Sequence, residues 1–299
     1  MNKAGSASKV KLSSFDDLFG PSESPSGAEQ VQEIPLSELY DFTGHPFRVA
    51  DDEKMEETVE SVRQYGVLVP GIARRRDGGG YEIIAGHRRK HACELAGLKT
   101  MPVFVREYDN DEATVIMVDS NIQRENILPS EKAKAYAMKY EAMKHQGSKA
   151  GGRTIEEMGE SAGESAKTVQ RYIWLARLSD GLLEMVDQKK LGFVQGIDIS
   201  FLSKEMQENV LMLIVENSIS VSTMQSAKLK EYGKSGELTP AMARLILTEE
   251  KPKTGRFVLR QDKIEEYFPD RYSNEDIEKT ILMLLENWKA EGARRLWDT

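Results

Sequence analysis

The first segment that could do chemistry is a glycine followed by three basic side chains. The apolar run 81–85 predicts a buried strand that stops at Gly86, and the apolar spacing after it predicts a helix. The first turn of such a helix has unpaired backbone N–H groups, where an anion is stabilised. The basic residues at this end are His87, Arg88 and Arg89. Cations there oppose the helix dipole unless an anion neutralises them. The segment therefore predicts a phosphate site, with a solvated basic turn as the alternative.

A second segment, residues 119–130, places amide and guanidinium side chains on a short polar turn between two helical patterns. Asn121 and Gln123 supply amides and Arg124 supplies a guanidinium, a set that can hold phosphate oxygens and a hydrated Mg²⁺. Asn121 is the predicted metal ligand. An interhelix turn whose polar side chains only cap backbone groups is the alternative. Ser130 is predicted as the N-cap of the helix that follows.

Both segments, in this order, resemble sequence boxes of the ParB family of DNA-partition proteins. Residues 86–92, Gly-His-Arg-Arg-Lys-His-Ala, resemble the family's Gly-Glu-Arg-Arg-x-Arg-Ala box, and residues 120–124, Ser-Asn-Ile-Gln-Arg, resemble its Glu-Asn-x-Gln-Arg box. Upstream, residues 45–48 and 67–72 resemble the family's Asn-Pro-x-Gln-Pro-Arg and Gly-x-x-x-Pro-Ile elements. Ordered elements over about eighty residues are more specific than a single motif. The resemblance covers roughly residues 31–235.

The resemblance implies an N-terminal domain that binds CTP and Mg²⁺, a helix-turn-helix centre, and a clamp that closes around DNA and slides along it. In this picture the arginines after Gly86 hold phosphates, Asn121 takes the metal, and the loops at 43–45 and 70–72 shape the base pocket. The residues expected to bind nucleotide are Thr43, Gly44, His45, Arg48, Pro70, Gly71, Gly86, His87, Arg88, Arg89, Asn121, Gln123 and Arg124.

The chain departs from the family pattern at three positions. His87 stands where the first box has its acidic residue, and His91 stands where that box has its final arginine. Ser120 stands where the second box has the glutamate that helps with metal binding and hydrolysis. We therefore expect nucleotide binding to be kept and CTP hydrolysis to be slow or absent. The same departures suggest a plasmid or mobile-element protein.

Further along, the pattern is typical of a helix-turn-helix. Thr154 is predicted to cap a first helix, Gly163 to form the tight turn, and Ser165 to cap a second helix over 166–178. The start of the second helix in such motifs enters the DNA major groove, where basic, amide and hydroxyl side chains contact bases and phosphates. A helical hairpin with solvated charges is the alternative. The predicted DNA contacts are Arg153, Ser165, Lys167, Thr168, Gln170 and Arg171.

These elements predict an α+β protein. We expect a disordered tail over 1–30, a small mixed α/β nucleotide-binding domain of ParB and sulfiredoxin-like fold over 31–125, an all-α helix-turn-helix domain over 126–250, and a linker with a mainly helical C-terminal element over 251–299. Helical spacing predicts a helix at 52–65, and the glycine cluster at 77–80 predicts a hairpin.

Two segments suggest protein partners. An amphipathic island at 15–19 in the tail, near Lys3, Lys9 and Lys11, is either an incidental apolar patch or the contact for a Walker-type ParA ATPase, which the resemblance favours. The C-terminal stripe predicts a homodimer, with packing onto the helical centre as the alternative. The residues of that stripe are Ile277, Ile281, Leu284, Leu285 and Trp288.

Composition bounds the class of protein. The net charge of −8 over 299 residues argues against indiscriminate coating of DNA, although a local basic face is compatible with it. A single cysteine, Cys93, rules out an intrachain disulfide and suits a reducing compartment. No run is apolar enough to cross a bilayer and no signal peptide is evident, so we expect a cytoplasmic protein associated with the nucleoid or a plasmid. Two other functions remain open: an enzyme on the same N-terminal fold, such as a nuclease, kinase or reductase, and a transcriptional regulator without nucleotide control.

Overall fold

The computed structural model describes residues 30–124, 126–146, 151–249, 267–268 and 272–290. The chain divides into two units, residues 1–249 and residues 250–299. The described part of the first unit holds one sheet and a series of helices, and that of the second holds a single helix. This is the α+β class predicted from the sequence. In the described ranges, no helix has both the length and the apolar content that crossing a membrane requires.

The sheet has five short strands in the order β1-β5-β3-β4-β2. The outer strand β1 runs antiparallel to β5, β5 runs parallel to β3, and β2 runs parallel to β4. The predicted hairpin is confirmed, because β3 and β4 pair antiparallel around residues 77–80. The strands are β1 (Val31–Pro35), β2 (Leu39–Asp41), β3 (Gly71–Arg75), β4 (Tyr81–Ala85) and β5 (Thr100–Val105).

Three helices accompany the sheet: α1 (Glu53–Tyr65), α2 (His87–Ala96) and α3 (Asn110–Asp119). The prediction for α1 is confirmed: Met55, Val59 and Val62 recur at helical spacing and are buried. The Asp52 carboxylate accepts the Met55 N–H at 2.8 Å and caps the helix. Gly66 ends it with φ of 72°, a conformation that glycine adopts without steric cost.

Eight helices fill the rest of the described first unit. They are α4 (Pro129–His145), α5 (Gly151–Ala162), α6 (Ala166–Leu175), α7 (Asp180–Asp187), α8 (Phe193–Ile199), α9 (Lys204–Glu216), α10 (Thr223–Ser235) and α11 (Pro240–Thr248). The second unit holds α12 (Asn274–Ala290).

Two predicted caps are wrong. Ser130 lies inside α4, because Pro129 already has the backbone geometry of a first helical residue. The Ser130 hydroxyl donates instead to the Asp187 carboxylate at 2.5 Å, which ties α4 to α7. Thr154 lies inside α5, which begins at Gly151, and is buried there. The error at Ser130 arises because a hydroxyl that could cap a helix here makes a tertiary contact instead.

The sheet and the helix-turn-helix share a hydrophobic core. Ile84 of β4 and Met117 of α3 belong to the same buried cluster as Met158 of α5 and Val169 of α6. Tyr136 of α4 lies in the middle of this cluster and is almost fully buried. A second cluster lies between the sheet, α1 and α2, and a third fills the helical centre from α6 to α11. The position of α6 relative to the sheet is therefore set by packing.

Candidate functional site

The start of α2 depends on two glycines that lie against each other. A Cβ on Gly86, whose φ is 112°, would lie 3.3 Å from the Cα of Gly71. A Cβ on Gly71 would lie 2.9 Å from the Met101 side chain and 3.1 Å from the Ala85 carbonyl oxygen. The start of β3 therefore lies directly against the residue that precedes α2, backbone to backbone. The predicted passage from strand through glycine to helix is confirmed, and no side chain caps the first turn of α2.

The predicted phosphate-binding arginines converge on the same end of α2. Burial lowers the pKa of Arg89, and the nearby Arg124 guanidinium lowers it further. Burial likewise lowers the pKa of Arg124, with Arg88 as the next cause. Arg89 donates to the carbonyls of Val69 and, at 2.7 Å, of Pro70. Three guanidinium groups thus share a partly buried region, where mutual repulsion is costly unless an anion is present.

A cavity of about 730 Å³ opens beside these arginines, within the size range of small-molecule sites. Arg88, Arg124 and Arg48 contribute to its wall, together with the carboxylates of Asp52 and Glu131. The Arg88 guanidinium lies 2.9 Å from the Asp52 carboxylate and holds the pKa of that carboxyl below its usual range. Lys54 and Glu57 also line the cavity, so its wall carries four basic and three acidic side chains. The acid that pairs with Arg88 also caps α1.

His87 takes part in the site as a neutral, buried ring. It is only 4% exposed, and burial lowers its pKa to about 3. The Phe42 N–H donates to its Nε2 atom at 3.4 Å, so the neutral tautomer carries its proton on Nδ1. The His45 ring lies 3.8 Å away, centroid to centroid. Neither His87 Nδ1 nor His45 Nε2 has a hydrogen-bond partner in the described part of the chain, although both atoms are buried.

The side chain of Asn121 has a buried acceptor atom, Oδ1, and hydrogen bonds from the amide nitrogen fix the orientation of the side chain. Its amide nitrogen donates to the Met117 carbonyl at 2.7 Å and to the Ser120 hydroxyl at 3.1 Å. The Oδ1 atom is left without a partner among the described residues. An amide oxygen is a suitable Mg²⁺ ligand. Over the described ranges, however, no group of three His, Cys, Asp or Glu side chains could hold a metal ion. Any Mg²⁺ here would depend on Asn121, water and the ligand's own oxygens.

The loop that begins at Thr43 is anchored by an acid that the sequence reasoning missed. The Glu82 Oε1 atom accepts the Thr43 N–H at 3.0 Å and the Thr43 hydroxyl at 3.2 Å. Its Oε2 atom lies 2.6 Å from Arg74, which forms a buried ion pair with it. Gly44 follows with a φ of 74°. The signal was present in the sequence, because Glu82 is a carboxylate inside an otherwise apolar strand.

The remaining predicted nucleotide residues are more exposed. Arg48 and Gln123 both have exposed side chains. The Arg48 N–H donates to the Glu131 carboxylate at 2.9 Å, and the Leu128 N–H donates to its other oxygen at 3.1 Å. Glu131 was also missed, although its position three residues after a helix start is a known capping signal. It joins the loop before α1 to the start of α4.

The helix-turn-helix forms where it was predicted. Gly163 takes φ of 68° in the turn, and the Ser165 hydroxyl accepts the Thr168 N–H at 3.1 Å to cap α6. Ser165, Lys167 and Arg153 are exposed. Gln170 and Arg171 are half-buried, and the Arg171 guanidinium lies 5.6 Å from the centroid of the Phe193 ring. The helix ends at Leu175, three residues earlier than predicted. Five of the six predicted contacts thus lie on α6 or at its N-cap, and Arg153 lies near the start of α5.

Polar contacts through α4 connect the two sites. The buried Lys139 ammonium pairs with Asp119, the last residue of α3, and donates to the Ser161 hydroxyl of α5 at 3.1 Å. Earlier on α4, Lys132 pairs with Glu164 in the turn of the helix-turn-helix. The Tyr136 hydroxyl donates to the same Glu164 carboxylate at 3.1 Å. A single helix therefore contacts both the polar turn after α3 and the turn before α6.

Comparison with known proteins agrees with these features. The model of the ParB N-terminal domain matches residues 21–122. A nucleoid occlusion protein of Halalkalibacterium halodurans is 27% identical over 222 residues, 74% of this chain and 75% of that protein. Stage 0 sporulation protein J of Bacillus subtilis is 26% identical over 275 residues, 86% of this chain and 92% of that protein.

Among solved structures, one similar chain is the C-terminally truncated chromosome-partitioning protein ParB of Caulobacter crescentus, complexed to the centromeric parS site. The two are 26% identical, and the match covers 67% of this chain and 98% of that one with a TM-score of 0.41. The match to residues 21–122 shows that this chain contains a ParB N-terminal domain, in agreement with the ordered sequence boxes, and the chain is similar to the curated relatives over most of their length.

Proposed function

We propose that this chain is a partition protein that binds a specific, centromere-like DNA duplex through α6 and uses CTP with Mg²⁺ to close as a clamp that slides along the DNA. The match to the ParB N-terminal domain and the curated relatives support DNA partition as the class, and the family resemblance favours CTP as the nucleotide. One observation supports the part of the proposal that concerns nucleotide binding. Arg88, Arg89 and Arg124 meet at the N-terminus of α2, beside buried polar atoms that have no partner in the described ranges.

Each element of the site has a role in this proposal. The free N–H groups of the first turn of α2, with Arg88 and Arg89, would hold phosphate oxygens. Arg124 and Gln123 would bring the polar turn after α3 onto the same phosphates. Asn121 Oδ1 would hold the Mg²⁺, which neutralises phosphate charge when it is bound. The loops that start at Thr43 and Pro70 would form the base pocket.

The DNA half of the proposal uses the exposed end of the helix-turn-helix. The N-terminal turn of α6 would enter the major groove, and its hydroxyl, amide and basic side chains would contact base edges and phosphates. The proposed contacts are Arg153, Ser165, Lys167, Thr168, Gln170 and Arg171. The shared core and the contacts of α4 support coupling between this helix and the nucleotide site.

Calorimetric titration of CTP, ATP, GTP and UTP tests the nucleotide half, with Mg²⁺ and then with EDTA. The expected result is selective CTP binding that weakens in EDTA and weakens strongly in Arg124→Ala. Arg75→Ala, at the exposed end of β3, removes the same charge away from the site and should bind normally. No nucleotide binding by the wild-type chain, even with genomic DNA fragments present, would overturn the clamp and leave a plain DNA-binding regulator.

Hydrolysis is proposed to be slow or absent. The Ser120 hydroxyl donates to the Met117 carbonyl at 3.0 Å and lies beside Asn121, so it supplies no carboxylate to a metal or to an attacking water. Phosphate release measured with and without DNA tests this point. Release at the rate of several turnovers per minute would contradict it.

Two protein partners complete the proposal. The tail with Lys3, Lys9 and Lys11, which lies outside the described residues, would bind a ParA ATPase. The exposed apolar face of α12 would form a homodimer, since Leu284 and Leu285 are each more than half exposed there. Sedimentation of the wild-type chain and of Leu285→Glu tests the second contact. A wild-type monomer at micromolar concentration would contradict it.

A further inference from the structure

The Arg88 guanidinium, one of the proposed phosphate contacts, is already held by a carboxylate of the chain. Its Nη2 atom donates to Asp52 Oδ1 at 2.9 Å, and its Nη1 atom donates to Asp52 Oδ2 at 3.5 Å. Both terminal nitrogens therefore face the two carboxylate oxygens, in the paired geometry by which arginine also binds phosphate. The Asp52 carboxylate thus lies where a phosphate group would meet this end of Arg88.

The other two arginines of the site are not paired in this way. Among the residues that the structure describes, no carboxylate lies within ion-pair distance of Arg89 or of Arg124. Arg89 donates to the backbone carbonyls of Val69 and Pro70 instead. The three arginines therefore differ before a ligand arrives, because the terminal nitrogens of Arg88 already have an anionic partner.

Asp52 also belongs to the wall of the cavity beside these arginines, where it is one of three acidic side chains. Both oxygens of Glu131, another of the three, accept backbone N–H groups. The hydrogen bond from Arg88 holds the pKa of Asp52 below its usual range, so this carboxylate is charged at neutral pH. An anion of the chain itself therefore borders the cavity at a proposed phosphate contact.

The contact between Asp52 and Arg88 can open at little cost to the fold. The Asp52 side chain is 50% exposed, and exposed ion pairs contribute little to stability. Its Oδ1 atom also accepts the Met55 N–H at 2.8 Å as the cap of α1. Because this cap does not depend on Arg88, the carboxylate keeps a hydrogen bond at the helix N-terminus after the guanidinium leaves it.

We propose that Asp52 is an internal competitor for the phosphate position at Arg88, a role that rests on the proposed nucleotide binding. A nucleotide must displace the carboxylate before its phosphates can take the terminal nitrogens of Arg88. A triphosphate can do so because it offers several anionic groups to three arginines at once, whereas Asp52 offers one. Asp52 therefore lowers the affinity of the site for nucleotide and keeps Arg88 paired while the site is empty.

Calorimetric titration of CTP with Mg²⁺ into full-length Asp52→Asn tests this role. Asparagine caps helices about as well as aspartate, so the variant removes the charge and keeps the start of α1. CTP should bind about 3-fold to 10-fold more tightly than to the wild type. An exposed ion pair is worth up to about fivefold, and repulsion between the carboxylate and the phosphates is removed as well. Unchanged or weaker binding would overturn the competition, and weaker binding would make Asp52 a residue that positions Arg88.

Asp51→Asn is the matched control. The Asp51 carboxylate lies 2.7 Å from His91 of α2, so this variant also removes one charge and one contact with that helix. Neither Asp51 nor His91 lines the cavity. CTP affinity should stay within about twofold of the wild type. A gain equal to that of Asp52→Asn would contradict competition, because net charge alone would then explain both. Asp52→Ser, which keeps a capping oxygen, repeats the test, and thermal unfolding checks that each variant is folded.

A second background separates displacement from simple repulsion. Without the Arg88 guanidinium there is nothing for Asp52 to occupy, so Arg88→Ala and Arg88→Ala with Asp52→Asn should bind CTP within about twofold of each other. A gain as large as in the wild-type background would overturn the competition. Absence of CTP binding by the wild type and by both Asp52 variants would overturn nucleotide binding itself. Wild-type binding that neither Asp52 variant strengthens would overturn the role of Asp52 alone.

Discussion

The start of α2 and the exposed turn of α6 both gather positive side chains, but they place them in opposite environments. At α2 the guanidinium groups are partly buried, burial lowers the pKa values of Arg89 and Arg124, and buried nitrogen and oxygen atoms beside them lack partners in the described chain. At α6, Ser165 and Lys167 are exposed, and the capping hydroxyl is already satisfied by the helix N–H. A buried, underpaired site suits a small ligand of defined shape, whereas an exposed, satisfied surface suits a long polyanion.

The difference also concerns how each region responds to change. Removal of the partner of a buried charge lowers the free energy of unfolding strongly, whereas an exposed ion pair contributes little to that free energy. Variants of the α2 site and of the α4 contacts should therefore alter stability and small-ligand affinity steeply. Variants of α6 should weaken DNA binding, as added salt does, because both reduce the electrostatic attraction between the helix and the DNA phosphates.

The largest expected effect comes from the buried contact between the two regions. Lys139→Met leaves Asp119 buried without its cation and should lower the free energy of unfolding by about 3 to 5 kcal/mol. Lys134 lies on the same helix, α4, and forms an exposed ion pair with Asp180 of α7. Lys134→Met should therefore lower the free energy of unfolding by about 1 kcal/mol or less. Urea unfolding of both variants measures the contrast. Equal losses would show that α4 does not carry a buried link.

Arg124→Ala should have the next largest effect. Loss of a charge-assisted contact to phosphate costs about 1.5 to 3 kcal/mol, or roughly a 10-fold to 100-fold loss of CTP affinity. Lys167→Ala should leave CTP affinity unchanged, because Lys167 lies on the exposed end of α6. Calorimetry with both variants separates the two regions. A comparable loss of CTP affinity in Lys167→Ala would contradict the separation.

Acid should destabilise the chain through His87. Burial lowers the pKa of His87 to about 3, below its unfolded value near 6.5, so only the unfolded chain takes up this proton as the pH falls below about 6.5. The contribution of neutral His87 to the free energy of unfolding is therefore lost progressively as the pH falls between those two pKa values. The loss amounts to about 1 kcal/mol between pH 7.5 and 5.5. The neutral variant His87→Gln should have a flatter stability profile over that range. Parallel profiles of the two proteins in urea unfolding would rule out His87 as the cause.

The smallest effect is expected at the exposed surface. Lys167→Ala should lower the salt slope of DNA binding by about one unit and leave the unfolding free energy within about 0.5 kcal/mol of the wild type. Anisotropy titrations and urea unfolding measure these two quantities on the same sample. A loss of stability without a change in slope would mean that Lys167 is structural, and the comparison between the regions would fail at α6.

The sequence determined the local elements and their order, because local chemistry specifies them. The apolar spacing of Met55, Val59 and Val62, the glycine turn at Gly163 and the Ser165 cap all follow from backbone geometry and short-range contacts. The order of the ParB-like boxes is likewise a property of the amino-acid sequence alone. The caps at Ser130 and Thr154 could not be predicted correctly, since the alternative partner of Ser130 is Asp187 on another helix.

Only the tertiary structure decided which of these elements meet. Glu82 and Thr43 are 39 residues apart in the chain, and so are too distant for any local pattern to connect, yet together they anchor the loop beside His45. The pairing of Lys139 with Asp119 likewise joins residues from separate helices. Burial then turned His87 from a basic side chain into a neutral ring. Contacts between distant segments and the loss of water decide such properties, and neither can be read from residue spacing.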